Sequence, residues 1–288
     1  MNEKNRKPKV GIVVGSGGIK SLAAFSLIQH LKEAGIEPAL IIGCSGGTIA
    51  PAIWAAGLNV DDIRNNAGNF WTRELFAKTD FRTLLSIAGL PFGRFGLNQG
   101  MVKSDRIHEK YKALWGDKRI EDLSPKMFFQ TTDALTGDPV LLKEGLVWKA
   151  VYASGALFPI LPAMEIDGRH LIDGVYSSPL PIMEAIQEGM DVIIAMSFEE
   201  LTEEPSRGFI PYFMRTSDYF QRWLRRNQNA LAVDVHHHEI VFLNVLFDRY
   251  ISLRATRRIP QILEAGDKVV AEHKHEIKAA IESFSKLK

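Results

Sequence analysis

Two glycine-rich segments, each lying between an apolar run and a helical pattern, constrain the fold of this 288-residue chain more than any other feature. Residues 9–14 and 39–42 are rich in Val and Ile, which is typical of buried strands. Residues 22–34 repeat apolar side chains at helical spacing between them. A strand, a helix and a second strand of this length predict a parallel pair with a right-handed crossover. Both glycine turns should then lie side by side at the carboxyl edge of the sheet, where such folds bind ligands.

The rest of the chain continues the alternation of strands and helices. A helix is expected around residues 181–189, and short helices and loops rather than sheet over residues 69–100. Further strands are predicted at residues 127–132, 139–142, 171–173, 192–196 and 241–245. The pattern indicates an α/β layered fold. With no internal repeat, we expect one domain over residues 1–288, with a core at about 9–266 and a C-terminal helix over 259–284.

Composition excludes several classes of protein. A formal net charge of +1 argues against a nucleic-acid partner, because binding a phosphate backbone requires an excess of Lys and Arg. Cys44 is the single cysteine, so the chain cannot form an internal disulfide, and a reducing compartment is expected. The apolar run at residues 10–14 is too short for a signal peptide. Residues 38–60 carry no charge, but glycines divide them into a strand and a helix. We therefore expect a cytoplasmic protein.

The second glycine segment, Gly43-Cys44-Ser45-Gly46-Gly47, fits the Gly-x-Ser-x-Gly pattern of a nucleophile elbow. An elbow needs a strand before the serine and a helix after it, so that a sharp turn exposes the hydroxyl. Both flanks are predicted here. The alternative is a glycine-rich turn in which Ser45 only caps the following helix. For Cys44, a small buried residue is a simpler interpretation than a reactive thiol.

The first glycine segment, Gly15-Ser16-Gly17-Gly18-Ile19-Lys20, opens a helix, where free N–H groups favour an anion. In a hydrolase that anion would be the oxyanion of a tetrahedral intermediate. A phosphate loop is the competing hypothesis. The dinucleotide motif, however, needs a glycine where Lys20 stands, and the Walker motif needs glycine directly before the lysine. An ordinary turn remains an alternative.

Asp173-Gly174 follows the apolar pair Leu171-Ile172, and alone it is a common surface turn. Taken with the two glycine segments and with Ala153-Ser154-Gly155-Ala156, it makes the sequence resemble the patatin-like phospholipases, or lipid acyl hydrolases. The similarity covers roughly residues 9–266 and keeps the order and spacing of the motifs. It departs from the family pattern at Ser21 and Val175, where smaller residues are usual.

The resemblance implies a three-layer fold, with a mostly parallel central sheet flanked by helices, and a serine acyl hydrolase that needs no cofactor and no metal. Ser45 would be the nucleophile and Asp173 the base of a Ser-Asp dyad, with the Gly17 and Gly18 N–H groups as the oxyanion hole. The supporting loop residues would be Gly15, Lys20, Gly43, Gly47 and Gly174. The substrate would be a phospholipid or another acyl-ester lipid.

Two other functions stay open: a Ser-His-Asp esterase or thioesterase, and a lipid-binding protein without turnover. His170 lies three residues before Asp173, so on one strand the two side chains point to opposite faces. Residues 236–238 are three histidines without a carboxylate metal motif. His273 and His275 are two apart on a helix and should be solvated.

Two apolar segments are candidates for contact with a membrane surface near the site. The first spans residues 70–95, and the second, residues 209–226, interleaves aromatic residues with arginines. Such a pattern suits anionic lipid head groups. Ordinary packing of a helical cap is the alternative for both segments.

Overall fold

A computed structural model describes residues 6–201 and 208–286 and contains one eight-stranded sheet. Its strands are β1 (Val10–Val14), β2 (Leu40–Cys44), β3 (Met127–Asp133), β4 (Pro139–Leu142), β5 (Met164–Ile166), β6 (Arg169–Asp173), β7 (Val192–Glu200) and β8 (Ile240–Phe247). The order across the sheet is β5-β6-β3-β2-β1-β7-β8, and β4 pairs with β3. The five strands from β3 to β8 in this order are parallel, whereas β4, β5 and β6 run antiparallel to their neighbours. The predicted mostly parallel sheet is confirmed.

Ten helices accompany the sheet in the described ranges. They are α1 (Ala24–Glu33), α2 (Ile49–Ala55), α3 (Val60–Asn65), α4 (Ala67–Phe70), α5 (Phe81–Ile87), α6 (Asp105–Trp115), α7 (Val147–Ser154), α8 (Ile182–Gln187), α9 (Phe209–Val235) and α10 (Ile259–Lys286). The larger apolar core includes Ile12 and Val14 of β1 with residues of α1, α2, α6, α7 and α10. Val13 points to the other face, where it packs with Ile182 and Ala185 of α8. Helices therefore cover both faces of the sheet, as the alternating strand pattern requires.

The sequence predicted the first two strands, the two glycine turns and the C-terminal helix, and it did not predict β5, α6, α7 or α9. The expected short helices and loops of residues 69–100 are present as α4, α5 and irregular segments. None of the described helices combines the length and the apolarity needed to cross a bilayer.

Candidate active site

Ser45 stands at the turn between β2 and α2. Its φ of +54° lies in the left-handed region, which costs free energy for a residue with a side chain and is typical of a nucleophile elbow. Glycine is required on either side of Ser45, because a Cβ atom there would come too close to neighbouring backbone atoms. A Cβ on Gly43 would lie 2.8 Å from the Cα of Thr48, and one on Gly46 would overlap the carbonyl oxygen of Gly18. The two glycine turns are therefore in direct contact, as their places on paired strands predicted.

Asp173, at the end of β6, faces the elbow across β3. The Ser45 hydroxyl donates a hydrogen bond to Asp173 Oδ2 at 2.7 Å, rather than capping α2. The other carboxylate oxygen, Oδ1, accepts the N–H of Val175 at 2.9 Å. Gly174 allows this turn, because a Cβ there would overlap the carbonyl oxygen of Gln130. The structure thus brings together two side chains that lie 128 residues apart in the sequence.

Asp173 is almost fully buried at the wall of the cavity, since the residue is 2% exposed. This burial raises the pKa of its carboxyl to about 7, although hydrogen bonds from Val175 and Ser45 act in the opposite direction. A carboxyl group with a pKa near neutrality can both take up and return a proton under physiological conditions.

The glycine loop after β1 borders the same cavity. Its first two amides are engaged, since Gly15 N–H donates to Met196 O and Ser16 N–H to Pro179 O. The amides of Gly17 and Gly18 have no partner within the described ranges, and both residues line the cavity with Ser45 and Asp173. Gly18 has a φ of +55°, which favours glycine. These two N–H groups are thus available to an anionic atom beside Ser45.

Lys20 forms an ion pair instead of standing free in the cavity. Its Nζ lies 2.6 Å from Glu200 Oε1, and both side chains are largely buried. Glu200 Oε1 also accepts the N–H of Ile251 at 2.9 Å. Lys20 therefore connects the glycine loop to the end of β7 and to the segment that follows β8.

Ser154 contacts the nucleophile through the backbone, a role that the sequence did not predict. Its Oγ accepts the N–H of Ser45 at 2.8 Å and donates to the carbonyl of Gln130 at 2.6 Å. The Ala153-Ser154-Gly155-Ala156 motif was the available signal for its importance. Thr132 Oγ1 donates to the carbonyl of Asp173 at 2.9 Å, and no sequence motif indicated this contact.

The histidines lie away from this site. All eight are within the described ranges, and none lines the cavity. His108 packs against Tyr152 with ring centroids 4.3 Å apart, and burial lowers the pKa of its imidazole. His236 contacts the carbonyl oxygen of Asp191. No group of three or more potential metal ligands occurs among the described residues.

Cys44 precedes the nucleophile but is fully buried, which raises the pKa of its thiol well above the usual value. The nearby carboxylate of Asp173 acts in the same direction. The thiol is therefore a packing group, as the sequence predicted.

The cavity has a volume of about 190 Å³ and is lined by both apolar and polar side chains. The apolar lining includes Ile49, Trp71, Phe76, Ile107, Tyr111, Val151, Leu157, Ile160 and Leu161. The polar lining includes Lys20, Glu199, Glu200, Asp218, Gln221, Arg222, Arg225 and Tyr250. An amphiphile with an apolar chain and a polar head matches this mixed lining.

The two apolar segments that are candidates for membrane contact differ in the exposure of their side chains. Phe70, Trp71 and Phe76 of the first segment are buried in the core, so packing is the correct interpretation for them. Its later part is exposed, including Phe81, Ile87, Leu90, Phe92 and Phe95. In the second segment, Tyr212, Tyr219, Phe220 and Trp223 are exposed on α9.

Comparisons with known proteins relate the chain to a family. A family profile described as Patatin-like phospholipase matches residues 12–186. An uncharacterized NTE family protein of Mycobacterium tuberculosis is 28% identical over 221 residues, which cover 76% of this chain and 56% of that protein. Lysophospholipase nte1 of Aspergillus terreus is 28% identical over 207 residues, which cover 69% of this chain and 12% of that protein. The chain thus spans about half of the first relative and a small part of the second. VipD from Legionella pneumophila is similar in structure, with a TM-score of 0.48, 12% identity and coverage of 93% of this chain and 67% of that one.

Proposed function

Because this chain belongs to the patatin-like phospholipase family, we propose that it hydrolyses acyl esters of lipids with Ser45 as nucleophile and Asp173 as base. The observation that carries the proposal is the 2.7 Å hydrogen bond from Ser45 Oγ to Asp173 Oδ2 at the wall of a cavity. A nucleophile and a base within hydrogen-bond reach are the arrangement that covalent catalysis requires.

The reaction proceeds in two steps. Asp173 accepts the hydroxyl proton of Ser45 while Ser45 Oγ bonds to the ester carbonyl carbon, and the carbonyl oxygen becomes an oxyanion. The free N–H groups of Gly17 and Gly18 stabilise this charge. When the intermediate collapses, the bond to the alcohol oxygen breaks and the alcohol takes the proton from Asp173. An acyl group remains on Ser45.

Water completes the cycle. Asp173 takes a proton from a water molecule, whose oxygen attacks the acyl carbon, and the same oxyanion site holds the second intermediate. Its collapse releases the fatty acid and returns the proton to Ser45 Oγ. Since a carboxylate performs both proton transfers, neither a histidine nor a metal takes part.

The lining of the cavity supports a lipid as the substrate. Its apolar side chains suit the acyl chain, and its polar side chains, which include the ion pairs Lys20–Glu200 and Arg225–Glu199, suit the polar part of the molecule. Ser45 lines the same cavity, so a bound ester can present its carbonyl to the proposed nucleophile.

Labelling with a fluorophosphonate tests the proposal directly. We expect the wild-type chain to be labelled and to release fatty acid from members of a panel of phospholipids and neutral acyl esters, and we expect Ser45→Ala to do neither. The loss in turnover should exceed about 10³-fold at an unchanged melting temperature. Labelling without release from any lipid would instead indicate a binding protein, and release by a folded Ser45→Ala variant would refute the assignment.

A further inference from the structure

Helix α9 reverses the usual arrangement of an amphipathic helix. A surface helix normally turns its apolar face to the core and its charged face to water. In α9, Asp218, Gln221, Arg222 and Arg225 line the cavity, and the buried Arg215 lies on the protein side. Four of its aromatic side chains are exposed to solvent.

The outward residues form one stripe at helical spacing, which we call the aromatic face: Tyr212, Tyr219, Phe220 and Trp223. Phe220 is 73% exposed and Trp223 is 63% exposed. Large apolar side chains exposed next to one another mark an interaction surface more often than a solvated one. The guanidinium groups of Arg226 and Arg215 lie about 6 Å from the rings of Trp223 and Tyr219 respectively.

A second exposed apolar surface lies in the first of the two candidate segments. It is residues 81–95, which we call the α5 loop, and its Phe92 is 92% exposed with a φ of +64°. A bulky residue held in the left-handed region and facing solvent is unusual in a folded protein. The conformation presents this ring outward instead of packing it.

Contacts around Asp173 connect the two surfaces. Gln228 of α9 donates to the carbonyl of Ser177, just after the Asp173 turn. The neighbouring Tyr176 hydroxyl donates to the carbonyl of Phe158, whose ring packs at 5.5 Å on that of Phe95 in the α5 loop. Helix α9 and the α5 loop therefore both lie close to the turn that carries the proposed base.

The exposed charges of the two surfaces favour an anionic partner. Arg82 and Arg94 are exposed in residues 81–95, which contain no acidic residue, and Arg226 is exposed beside Trp223 on α9, although the whole chain has a net charge of only +1. Pairing two copies through these surfaces would bring arginines together. Aromatic side chains interleaved with arginines instead match the interface of an anionic bilayer, where rings enter the head-group region and guanidinium groups contact phosphates.

We infer that the aromatic face and the α5 loop together form a docking surface for anionic lipid membranes. The inference rests on the proposed function for its purpose, since a docked enzyme takes its substrate directly from the membrane. Docking itself requires only the two surfaces.

Vesicle co-sedimentation tests the docking surface, with the full chain in its Ser45→Ala form so that the lipid stays intact. Vesicles of phosphatidylcholine are compared with vesicles that also contain phosphatidylglycerol. We expect binding to the anionic vesicles, reduced about tenfold or more by Phe220→Ser/Trp223→Ser, because two aromatic rings no longer enter the interface. Arg82→Gln/Arg94→Gln should reduce the preference for anionic lipid.

Leu135→Ser/Leu246→Ser is the matched control, because both leucines are as exposed as the aromatic residues but lie outside the two surfaces. This variant should bind like the parent. Failure to bind anionic vesicles, or equal binding by the parent and Phe220→Ser/Trp223→Ser, would overturn the inference. A dimer in lipid-free solution that the aromatic variant dissociates would assign the surface to self-association instead.

Two further measurements separate docking from catalysis. Trp223 is the single tryptophan of the five that is exposed, so its emission should shift to the blue on vesicle addition, and Trp223→Phe should abolish the shift. In the Ser45 background, Phe220→Ser/Trp223→Ser should hydrolyse a soluble short-chain ester at an unchanged rate. Vesicle binding without ester hydrolysis would refute the proposed function and leave the docking surface standing.

Discussion

The Oγ of Ser154 accepts a hydrogen bond from the backbone N–H of Ser45 at 2.8 Å, so the last residue of α7 holds the nucleophile elbow. The same hydroxyl donates to the carbonyl of Gln130 in β3. Ser154 is fully buried. One small side chain thus satisfies two backbone groups, and it fixes the strained turn against the sheet.

Ser154→Ala should therefore lower both stability and turnover. It leaves a buried donor and a buried acceptor unpaired, which costs about 1–3 kcal/mol in the free energy of unfolding. We expect kcat to fall because the elbow relaxes, and urea denaturation with steady-state kinetics measures both effects. Ser283→Ala, on the partly exposed side of α10, is the control and should change neither quantity. A stable and fully active Ser154→Ala variant would contradict this role.

Gly17→Ala should reduce kcat on the order of 10²-fold while changing KM little, because it displaces an amide that is proposed to contact the oxyanion. The new Cβ would lie 2.7 Å from Phe198 Cδ2 and 2.8 Å from Ser21 Oγ, so the loop must shift. Gly68→Ala in α4 meets no atom within 4 Å and serves as the control. A change confined to KM would identify the loop as a substrate-binding element.

Asp173→Asn should abolish hydrolysis, because an amide cannot accept the serine proton. Single alanine variants of His30, His108, His170, His236, His237, His238, His273 and His275 should retain most of the activity. For the wild type, kcat/KM should decline as the pH falls below about 7, where Asp173 becomes protonated. These rates can be measured on a chromogenic acyl ester after circular dichroism has confirmed folding. One folded histidine variant as inactive as Asp173→Asn would replace the dyad by a triad.

Asp173 should also destabilise the fold at neutral pH. Its pKa is raised from 3.8 to about 7 on folding, so between these values the native state binds more protons than the unfolded state. The contribution of Asp173 to the free energy of unfolding therefore falls as the pH rises through this window, and it changes no further at higher pH. The asparagine of Asp173→Asn does not ionise, so this variant does not lose stability in this way. The free energy of unfolding of Asp173→Asn relative to that of the wild type should therefore increase by up to a few kcal/mol between about pH 4 and pH 8.

Urea denaturation of both proteins at several pH values in that window measures the difference. Asp138→Asn, in the exposed β3–β4 turn, is the control for loss of a negative charge. Parallel stability profiles for wild type and Asp173→Asn would show that the carboxylate is not destabilising where it stands.

Local patterns predicted the parts of the site that are local. The strand before Ser45 and the glycines around it are contiguous, so their composition alone indicates a sharp turn at a sheet edge. The prediction that Asp173 pairs with Ser45 came from the resemblance to the family, because an Asp-Gly pair by itself is a common turn and does not indicate a catalytic residue. The contact of Ser154 depends on how α7 packs on β3, which no short pattern encodes.

The orientation of α9 does not follow from its sequence pattern. The side of α9 that faces the protein is charged and its outer side is aromatic, so a rule that buries apolar residues gives the wrong orientation. Phe70 and Trp71 are the opposite case. Their segment was a candidate for membrane contact, but both side chains are buried in the core. In both cases, contacts with residues distant in the sequence determine whether an aromatic side chain is buried or exposed.

The strand order determines when the central sheet can be completed during synthesis. β1 lies between β2, which follows it closely, and β7, which follows some 180 residues later. A nascent chain that has not reached residue 200 therefore leaves one edge of the buried strand β1 without hydrogen-bond partners, and such non-local pairing is slow and prone to aggregation. Chains truncated before β7 should accumulate as insoluble material. The proposed activity would then begin only after β7 has been made.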